Sequence, residues 1–253
     1  MNPVQSASIA MPPLKVISLE RSAERRAEFC RRNAHLDFEF AAGVDAMALS
    51  KSAITDTGLF EPGLPYTIGA HGAALSHYRM WTEAQNNGQA LTVAEDDAIF
   101  RMDFAAAHNA LLESLDDWDV VLWGWNLDSV MALETMPGMT AAMYFDFGRM
   151  LERIEDFQAL SMRPSLFRLD KCFGLPAYSI SPAGAAKLKA HCFPLTRYSV
   201  NFPLLGDVTN YGIDVATARA YPHIKAFVSF PPLAITRNDQ AITTIQNTPY
   251  FDP

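Results

Sequence analysis

Short apolar runs alternate with longer amphipathic stretches along the first half of the chain, which predicts strands that alternate with helices. The apolar runs are short and bounded by turn-forming or polar residues, as is typical of buried strands. The strand–helix–strand order up to Gly124 favours a parallel, Rossmann-like sheet. The predicted strands are Leu14–Leu19, Phe38–Ala42, Leu91–Ala94, Asp119–Gly124, Ala177–Ile180 and Lys225–Phe230.

Four stretches have helical spacing and recognisable ends. The clearest is Ile68–Asn87, because its small and aromatic residues fall on one face and Asn87-Gly88 is a stop signal. Ser181-Pro182 is a strong start signal, since a capping serine is followed by a proline in the first turn. The predicted helices are Ala23–Arg32, Ile68–Asn87, Phe104–Leu115 and Pro182–His191.

The remaining stretches lack a clear period. Residues 50–66 contain glycines and prolines and are predicted as a loop. Residues 125–171 carry six methionines. Because methionine fills irregular gaps, we predict an irregular substrate-side insertion with its own small core. The expected organisation is an N-terminal extension at 1–12, a single domain at 13–233 and a polar tail at 234–253 that wraps the surface or is mobile.

Three consecutive carboxylates follow the strand at 91–94: Glu95, Asp96 and Asp97. The carboxyl ends of strands are where open α/β sheets bind ligands. Clustered carboxylates repel each other unless a cation lies between them, and Mg²⁺ or Mn²⁺ prefers such oxygen ligands. The hypothesis is a divalent metal that holds a diphosphate; the alternative is a solvated turn in which Asp97 caps a helix.

Three further stretches contain polar candidates. Arg21, Arg25 and Arg26 cross from the end of the first strand into the next helix, where they could reach a base or phosphate or simply form surface ion pairs. Asp45 follows the second strand and is either a ribose or base ligand or part of a local turn. His77 lies in the middle of a helix, where a lone histidine is either catalytic or structural.

Composition narrows the class of protein. The chain has 253 residues, of which 49% are hydrophobic and 19% charged, as in an ordinary globular protein. Its net charge of −8 with no basic tail argues against nucleic-acid binding and against general attraction to anionic lipid. Three widely spaced cysteines (Cys30, Cys172 and Cys192) form no zinc motif and indicate a reducing compartment.

No stretch has the pattern of a secretory signal, and no apolar run approaches the roughly 20 residues of a membrane span. We therefore expect a cytoplasmic protein, with any membrane contact peripheral.

Six stretches, in the same order along the chain, together resemble glycosyltransferase family 25. This family includes bacterial lipooligosaccharide galactosyltransferases and collagen galactosyltransferases. The acidic stretch is similar to the family's LILEDDVxF segment, and the chain departs from the family pattern at Ser18, Ala46 and Ala73, where Asn, Gly and Cys are usual. The matching stretches are Val16–Arg26, Gly43–Ala46, Gly69–His77, Leu91–Phe100, Ala177–Leu188 and Gly212–Asp214.

The resemblance implies a GT-A-like α/β fold with a mixed sheet flanked by helices. It also implies a UDP-sugar donor, a saccharide or glycolipid acceptor, transfer with inversion, and a divalent metal. With this resemblance, the insertion at 125–171 is expected on the acceptor side, and any peripheral membrane contact at the inner face of a bacterial inner membrane. Asp214 is the first choice for the general base and Asp207 the second, the alternative for each being a cap or turn residue. The implied donor-binding residues are Ser18, Leu19, Arg21, Arg25, Asp45, Ser76, His77, Glu95 and Asp96, and the implied metal ligands are Asp97, Glu95 and His223.

Three alternatives stay open at this stage. His223 could be a surface histidine after Pro222 instead of a metal ligand. The chain could be a catalytically inactive protein of the same fold that binds nucleotide sugars or carbohydrate. It could also be a metal-dependent phosphotransferase or hydrolase, although that chemistry needs a positioned water or nucleophile that no sequence feature indicates.

Overall fold

The structure is a computed structural model that describes residues 11–237, 245 and 247–250. Most of the predicted extension at 1–12 and of the predicted tail at 234–253 lies outside these residues. The strands are β1 Leu14–Ser18, β2 Glu39–Ala42, β3 Leu91–Glu95, β4 Ala98–Phe100, β5 Val120–Gly124, β6 Val130–Met136, β7 Met139–Tyr144, β8 Ser165–Lys171, β9 Ala177–Ile180, β10 Ser199–Phe202, β11 Gly206–Thr209, β12 Ala226–Phe230 and β13 Ala234–Thr236. The α-helices are α1 Ala23–Arg32, α2 Lys51–Thr55, α3 Ile68–Asn87, α4 Phe104–Glu113, α5 Phe147–Leu151, α6 Ile154–Ala159, α7 Pro182–Cys192 and α8 Ile213–Ala220.

Nine strands form a mixed central sheet in the order β2-β1-β3-β9-β5-β12-β8-β6-β7. Strands β2, β1 and β3 are mutually parallel, and so are β5 and β12. Strand β9 lies antiparallel between β3 and β5, and β8, β6 and β7 continue the sheet with antiparallel pairings. The predicted mixed α/β fold is confirmed. Parallel pairing, predicted for the sheet, occurs only among β2, β1 and β3 and between β5 and β12.

Two predicted helices have local end signals that the structure uses. The Thr67 hydroxyl accepts a hydrogen bond from the Ala70 amide at the start of α3, and Gly88 ends the helix with φ +64°. At the start of α7, the Ser181 hydroxyl accepts from the Gly184 amide at 2.9 Å, with Pro182 in the first turn. These caps explain why both helices begin where the sequence predicts.

Two irregular predictions differ from the structure. Residues 125–171 contain three strands of the central sheet and two short helices, and their buried side chains join the main hydrophobic core instead of forming their own. Strand β7 gave no alternating pattern, because it lies at the sheet edge and its residues are exposed or half-buried on both faces. Within residues 50–66 a short helix, α2, is capped by the Ser50 hydroxyl. In the predicted tail, β13 pairs with β4.

Close backbone approaches fix how the helices sit on the sheet. Gly184 in α7 lies so near the carbonyl of Asp119, at the start of β5, that an added Cβ would overlap it. Asp119 also accepts hydrogen bonds from the Lys187 ammonium and from the Lys225 amide. This buried aspartate therefore ties together α7, β5 and the chain before β12.

We expect Gly184→Ala to lower the free energy of unfolding by about 1–3 kcal/mol or more, since the methyl group must push α7 away from the backbone at Asp119. Chemical denaturation measures the change. The control is Gly148→Ala, also in a helix, where the nearest atom to an added Cβ lies 3.9 Å away. A Gly184→Ala protein as stable as the Gly148→Ala protein would contradict this packing.

Candidate active site

A cleft of about 820 Å³ opens at the carboxyl ends of the parallel strands, beside a smaller pocket of about 80 Å³. The parallel pairing of Ile17 with Glu95 brings the end of β1 next to the end of β3. The acidic triplet therefore faces the space between these strand ends, as expected for a ligand site in an open sheet. The two cavities share a wall of five residues: Arg25, Ala73, Glu95, Asp96 and Ile245.

The Asp96 carboxylate is buried and bonds to side chains of the protein. Only 7% of its side chain is exposed. It accepts a hydrogen bond from the Ser18 hydroxyl at 2.7 Å and another from the Arg25 Nε at 2.7 Å, and the Arg25 Nη2 also contacts the same carboxylate. Arg26 in turn donates to the Ser18 hydroxyl at 3.0 Å. The predicted donor residues Ser18, Arg25 and Asp96 thus form a partly buried, hydrogen-bonded ion-pair cluster beneath the cleft.

The charge of Asp97 is only partly compensated. Burial and the neighbouring Glu95 raise its pKa to about 6, while the Arg25 guanidinium, 3.5 Å from Oδ2, and a hydrogen bond from the Thr236 side chain oppose that shift. A third of the side chain remains exposed, yet Oδ1 is buried without a hydrogen-bond partner among the residues that the structure describes. Such an orphaned carboxylate oxygen favours a cationic ligand at this position.

Glu95 lies between both cavities and is contacted from α3. The His77 Nε2 is 3.3 Å from Glu95 Oε1, and the ring is 1% exposed. Ser76, predicted to bind the donor, lines the smaller pocket, where it accepts from the Val44 amide at 2.8 Å and donates to the Gly72 carbonyl at 2.7 Å. With both hydrogen bonds made inside the protein, Ser76 holds the chain before Asp45 against α3.

The small pocket is lined by the other predicted donor residues, including Leu19, Arg21 and Asp45. Arg21 donates to Asp45 through Nε, and this hydrogen bond lowers the pKa of Asp45. Asp45 Oδ1 also accepts from the Met47 amide at 3.3 Å. The pair therefore forms a polar rim with an ionised carboxylate, held by a turn that follows β2.

Asp214 lies across the large cleft, at the start of α8. Burial raises its pKa, and Glu95 across the cleft adds to the rise, against hydrogen bonds from the amides of Val215 (2.9 Å) and Gly174. An added Cβ at Gly212 would lie 2.6 Å from Asp214 Oδ1. The glycine before α8 thus leaves room for the carboxylate in the position that faces the cleft.

Two predicted site residues lie elsewhere. Asp207 lines neither cavity: it is exposed on the β10–β11 hairpin, where it accepts a hydrogen bond from Asn201 Nδ2 at 2.9 Å. His223 is exposed in a short turn after α8 and stacks on the His191 ring, with centroids 5.7 Å apart. The structure therefore places the predicted second base and the predicted histidine ligand outside both cavities, because the topology carries them to other surfaces.

The carboxylates suit a metal only if the substrate supplies further ligands. No group of three histidine, cysteine, aspartate or glutamate side chains in the described part of the chain could hold a metal ion by itself. Asp96 is already neutralised by Arg25, which leaves Glu95 and Asp97. Mg²⁺ commonly uses one or two carboxylates together with substrate phosphates, so the unpartnered Asp97 oxygen fits an ion that arrives with a diphosphate.

Sequence patterns missed several residues that line the cleft. Asn126 follows β5 to the same sheet edge, and Tyr211 and Tyr250 line the cleft with 45% and 63% of their surface exposed. Exposed tyrosines beside a polar cleft offer a flat apolar surface with a hydroxyl group, which suits a ligand. The position of Tyr211, three residues before Asp214, is the one local signal that could have identified it.

The chain has a mixed α/β sheet with an acidic, two-part cleft at the ends of its parallel strands. This arrangement is typical of ligand-binding domains, including those of enzymes. The sequence model described as "Glycosyltransferase family 25 (LPS biosynthesis protein)" matches residues 11–201, about three quarters of the chain. The chain belongs to glycosyltransferase family 25.

Curated relatives include a "Glycosyltransferase 25 family member" of Anopheles gambiae, which is 31% identical over 48% of this chain and 23% of the relative. "Procollagen galactosyltransferase 1-B" of Xenopus laevis is 31% identical over 43% of this chain and 20% of the relative. "Procollagen galactosyltransferase 1" of Danio rerio is 28% identical over 48% of this chain and 23% of the relative. The matched part of the chain spans about a fifth of the length of these relatives.

Among solved structures, a mannose-1-phosphate geranyltransferase from Thermus thermophilus has a TM-score of 0.35 and 15% identity, covering 72% of this chain and 61% of that one. This similarity is too weak to bear on function. Among the described helices, none has both the length and the apolar character that crossing a membrane requires.

We expect Arg25→Gln to lower the free energy of unfolding by roughly 2–4 kcal/mol, because Asp96 would remain buried without its counter-charge. Urea denaturation measures the loss. Asp96→Asn in the same chain should recover part of it, which a double-mutant cycle would show as a coupling energy of about 0.5–3 kcal/mol. The control on the same helix is Arg31→Gln, which removes an exposed partner of Glu28 and should cost much less stability.

Additive effects of Arg25→Gln and Asp96→Asn would contradict the role assigned to this ion pair, as would an Arg25→Gln protein no less stable than Arg31→Gln.

Proposed function

We propose that this chain is the catalytic domain of an inverting glycosyltransferase that moves a hexose from a UDP-sugar to a saccharide acceptor such as lipooligosaccharide. Galactose is the expected sugar, since two of the relatives carry the name galactosyltransferase. The observation that carries the proposal is the pair of adjoining cavities whose common wall holds Glu95 and Asp96, with Asp97 and Asp214 facing the larger one.

The smaller pocket suits the nucleoside part of the donor. It lies where β1 passes into α1, a position at which α/β proteins often bind nucleotides. Its rim offers the Asp45 carboxylate as an acceptor for ribose or base N–H and O–H groups, and Arg21 beside it supplies positive charge. A nucleoside there would direct its diphosphate toward the common wall and Asp97.

A divalent ion, Mn²⁺ or Mg²⁺, would be held by Asp97 and Glu95 together with the diphosphate. When bound, it supplies positive charge to the β-phosphate oxygen of the leaving UDP as the glycosidic bond breaks. The raised pKa of Asp97 and its unpartnered Oδ1 support this role, because both reflect negative charge that the protein leaves uncompensated.

Asp214 would act as the general base. Inverting transfer requires a group that removes the proton from the acceptor hydroxyl as that oxygen attacks the anomeric carbon. Two observations support Asp214: it lines the cleft with Glu95 and Asp97, and its pKa is raised, which strengthens it as a base while the group stays ionisable. The exposed Tyr211 beside it offers a surface for the acceptor sugar ring.

Asp97→Asn should lower turnover with UDP-galactose at least about a hundredfold, since it removes the charge that would hold the cation at the leaving group. A thermal-shift titration provides the second measurement: Mn²⁺ should enhance stabilisation by UDP-galactose in the unmodified protein but not in the variant. The control is Asp156→Asn, an exposed aspartate of α6 outside both cavities. Near-normal, Mn²⁺-dependent turnover of Asp97→Asn would refute the assignment.

For the base, Asp214→Asn should reduce kcat by about 10²–10⁴-fold while the KM for the donor stays within about twofold, because only proton transfer is lost. Steady-state kinetics with saturating acceptor separate the two constants. Asp207→Asn is the matched control, since that carboxylate lies outside the cleft. A selective rise in donor KM with unchanged kcat would instead make Asp214 a donor-binding residue.

A further inference from the structure

A buried chain of hydrogen bonds runs from the interior of the protein to Glu95. The Trp81 Nε1 donates to the Tyr178 hydroxyl at 2.9 Å, that hydroxyl lies 2.9 Å from His77 Nδ1, and His77 Nε2 lies 3.3 Å from Glu95 Oε1. Trp81 and Tyr178 are fully buried. Glu95 lines both cavities, so the chain connects the core to the wall between them.

Three elements assemble this chain. Trp81 and His77 are one helical turn apart on α3 and therefore share a face. Tyr178 lies on β9 opposite Val93 of β3, and Glu95 follows two residues further along β3. The contacts therefore join elements that are distant in sequence, and they depend on the antiparallel insertion of β9 beside β3.

The chemistry of each group fixes the direction of the hydrogen bonds. An indole N–H can only donate, so the Tyr178 oxygen is the acceptor from Trp81. The hydroxyl hydrogen of Tyr178 then points to its other neighbour, His77 Nδ1, which must be an acceptor without a proton. A neutral imidazole with a bare Nδ1 carries its hydrogen on Nε2, and this N–H faces the Glu95 carboxylate.

The other tautomer would be unfavourable on both sides of the ring. With the hydrogen on Nδ1, the lone pair of Nε2 would face the Glu95 carboxylate. The hydrogen of Tyr178 would also lose its acceptor inside the core, at a cost of about 1–3 kcal/mol for a buried unsatisfied group. Trp81 and Tyr178 thus select one tautomer of the His77 ring, although neither of them lines a cavity.

We propose that Trp81 and Tyr178 are positioning residues that hold His77 as the Nε2–H tautomer, so that its ring donates to Glu95 and orients this carboxylate toward the cleft. The inference deepens the proposed function and rests on it for the role of Glu95, but the tautomer itself does not depend on any activity. His77, predicted to bind the donor, lines the smaller pocket and would also act on the cleft through Glu95.

The decisive variant is Tyr178→Phe, which removes one oxygen and keeps the ring. Nitrogen-15 NMR of the histidine side chains should show His77 with a protonated Nε2 and a bare Nδ1 in the unmodified protein. In Tyr178→Phe we expect the Nδ1 signal to move, because this nitrogen loses its hydrogen-bond donor, and the share of the Nδ1–H tautomer to rise, although Glu95 still favours a hydrogen on Nε2. Trp81→Phe should have a smaller effect in the same direction, because the phenol keeps its hydrogen but is no longer confined to one orientation.

Function supplies a second measurement. Loss of a residue that orients a metal ligand typically costs 10–100-fold in affinity or activity. Tyr178 orients the proposed ligand Glu95 through His77, so Tyr178→Phe should weaken Mn²⁺-dependent binding of UDP-galactose by up to about that factor. The matched control is Ser179→Ala, the adjacent residue of β9. Its hydroxyl contacts Trp123 Nε1 at 2.8 Å and His108 Nε2 at 2.9 Å, away from His77. It should cost stability without changing the His77 spectrum or donor binding.

The outcomes separate the two proposals. A His77 that is protonated on Nδ1, or on both nitrogens, in the unmodified protein at neutral pH would overturn the inference. So would a Tyr178→Phe protein whose His77 spectrum matches that of Ser179→Ala. A tautomer change in Tyr178→Phe, in a protein that neither binds nor transfers from any UDP-sugar, would uphold the positioning of His77 and refute the proposed function alone.

Discussion

The ion pair between Arg25 and Asp96 is the interaction on which the cleft depends. Three adjacent carboxylates at the end of β3 repel each other, by roughly 4 kcal/mol for two charges about 4 Å apart at an effective dielectric constant near 20. Arg25 neutralises the charge of the buried Asp96, and the Ser18 hydroxyl donates a hydrogen bond to the same carboxylate. Only then can Glu95 and Asp97 face the cleft with charge left for a ligand.

Strand β9 supports this arrangement from the middle of the sheet. It lies antiparallel between β3 and β5, and its adjacent residues Tyr178 and Ser179 point to opposite faces. Each places a hydroxyl in a fully buried polar cluster, with His77 and Trp81 on one side and with His108 and Trp123 on the other. Because unsatisfied polar groups are costly in a dry interior, these clusters allow few alternative packings of the helices.

Local signals explain what could be predicted without the structure. The caps at Thr67 and Ser181 and the stop at Gly88 lie next to the helices they define, so the bounds of α3 and the start of α7 followed from a few neighbouring residues. The position of the acidic triplet at a strand end followed in the same way. The strands within residues 125–171 were not predicted, although β6 and β7 pair with each other across Pro137-Gly138. The exposed strand β7 carries no alternation, and β8 also pairs with β12, which lies far along the chain.

The sequence by itself determined six strands of the central sheet, four helices, the family resemblance and the place where acids leave the sheet, because each of these depends on residues close together in the chain. Only the tertiary structure decided which candidates share a cleft. It brought Asp214 toward Glu95, placed Asp207 and His223 on other surfaces, and bound Ser76 to the chain before Asp45. The physical reason is that strand order and register set these distances, and both result from the packing of the whole core.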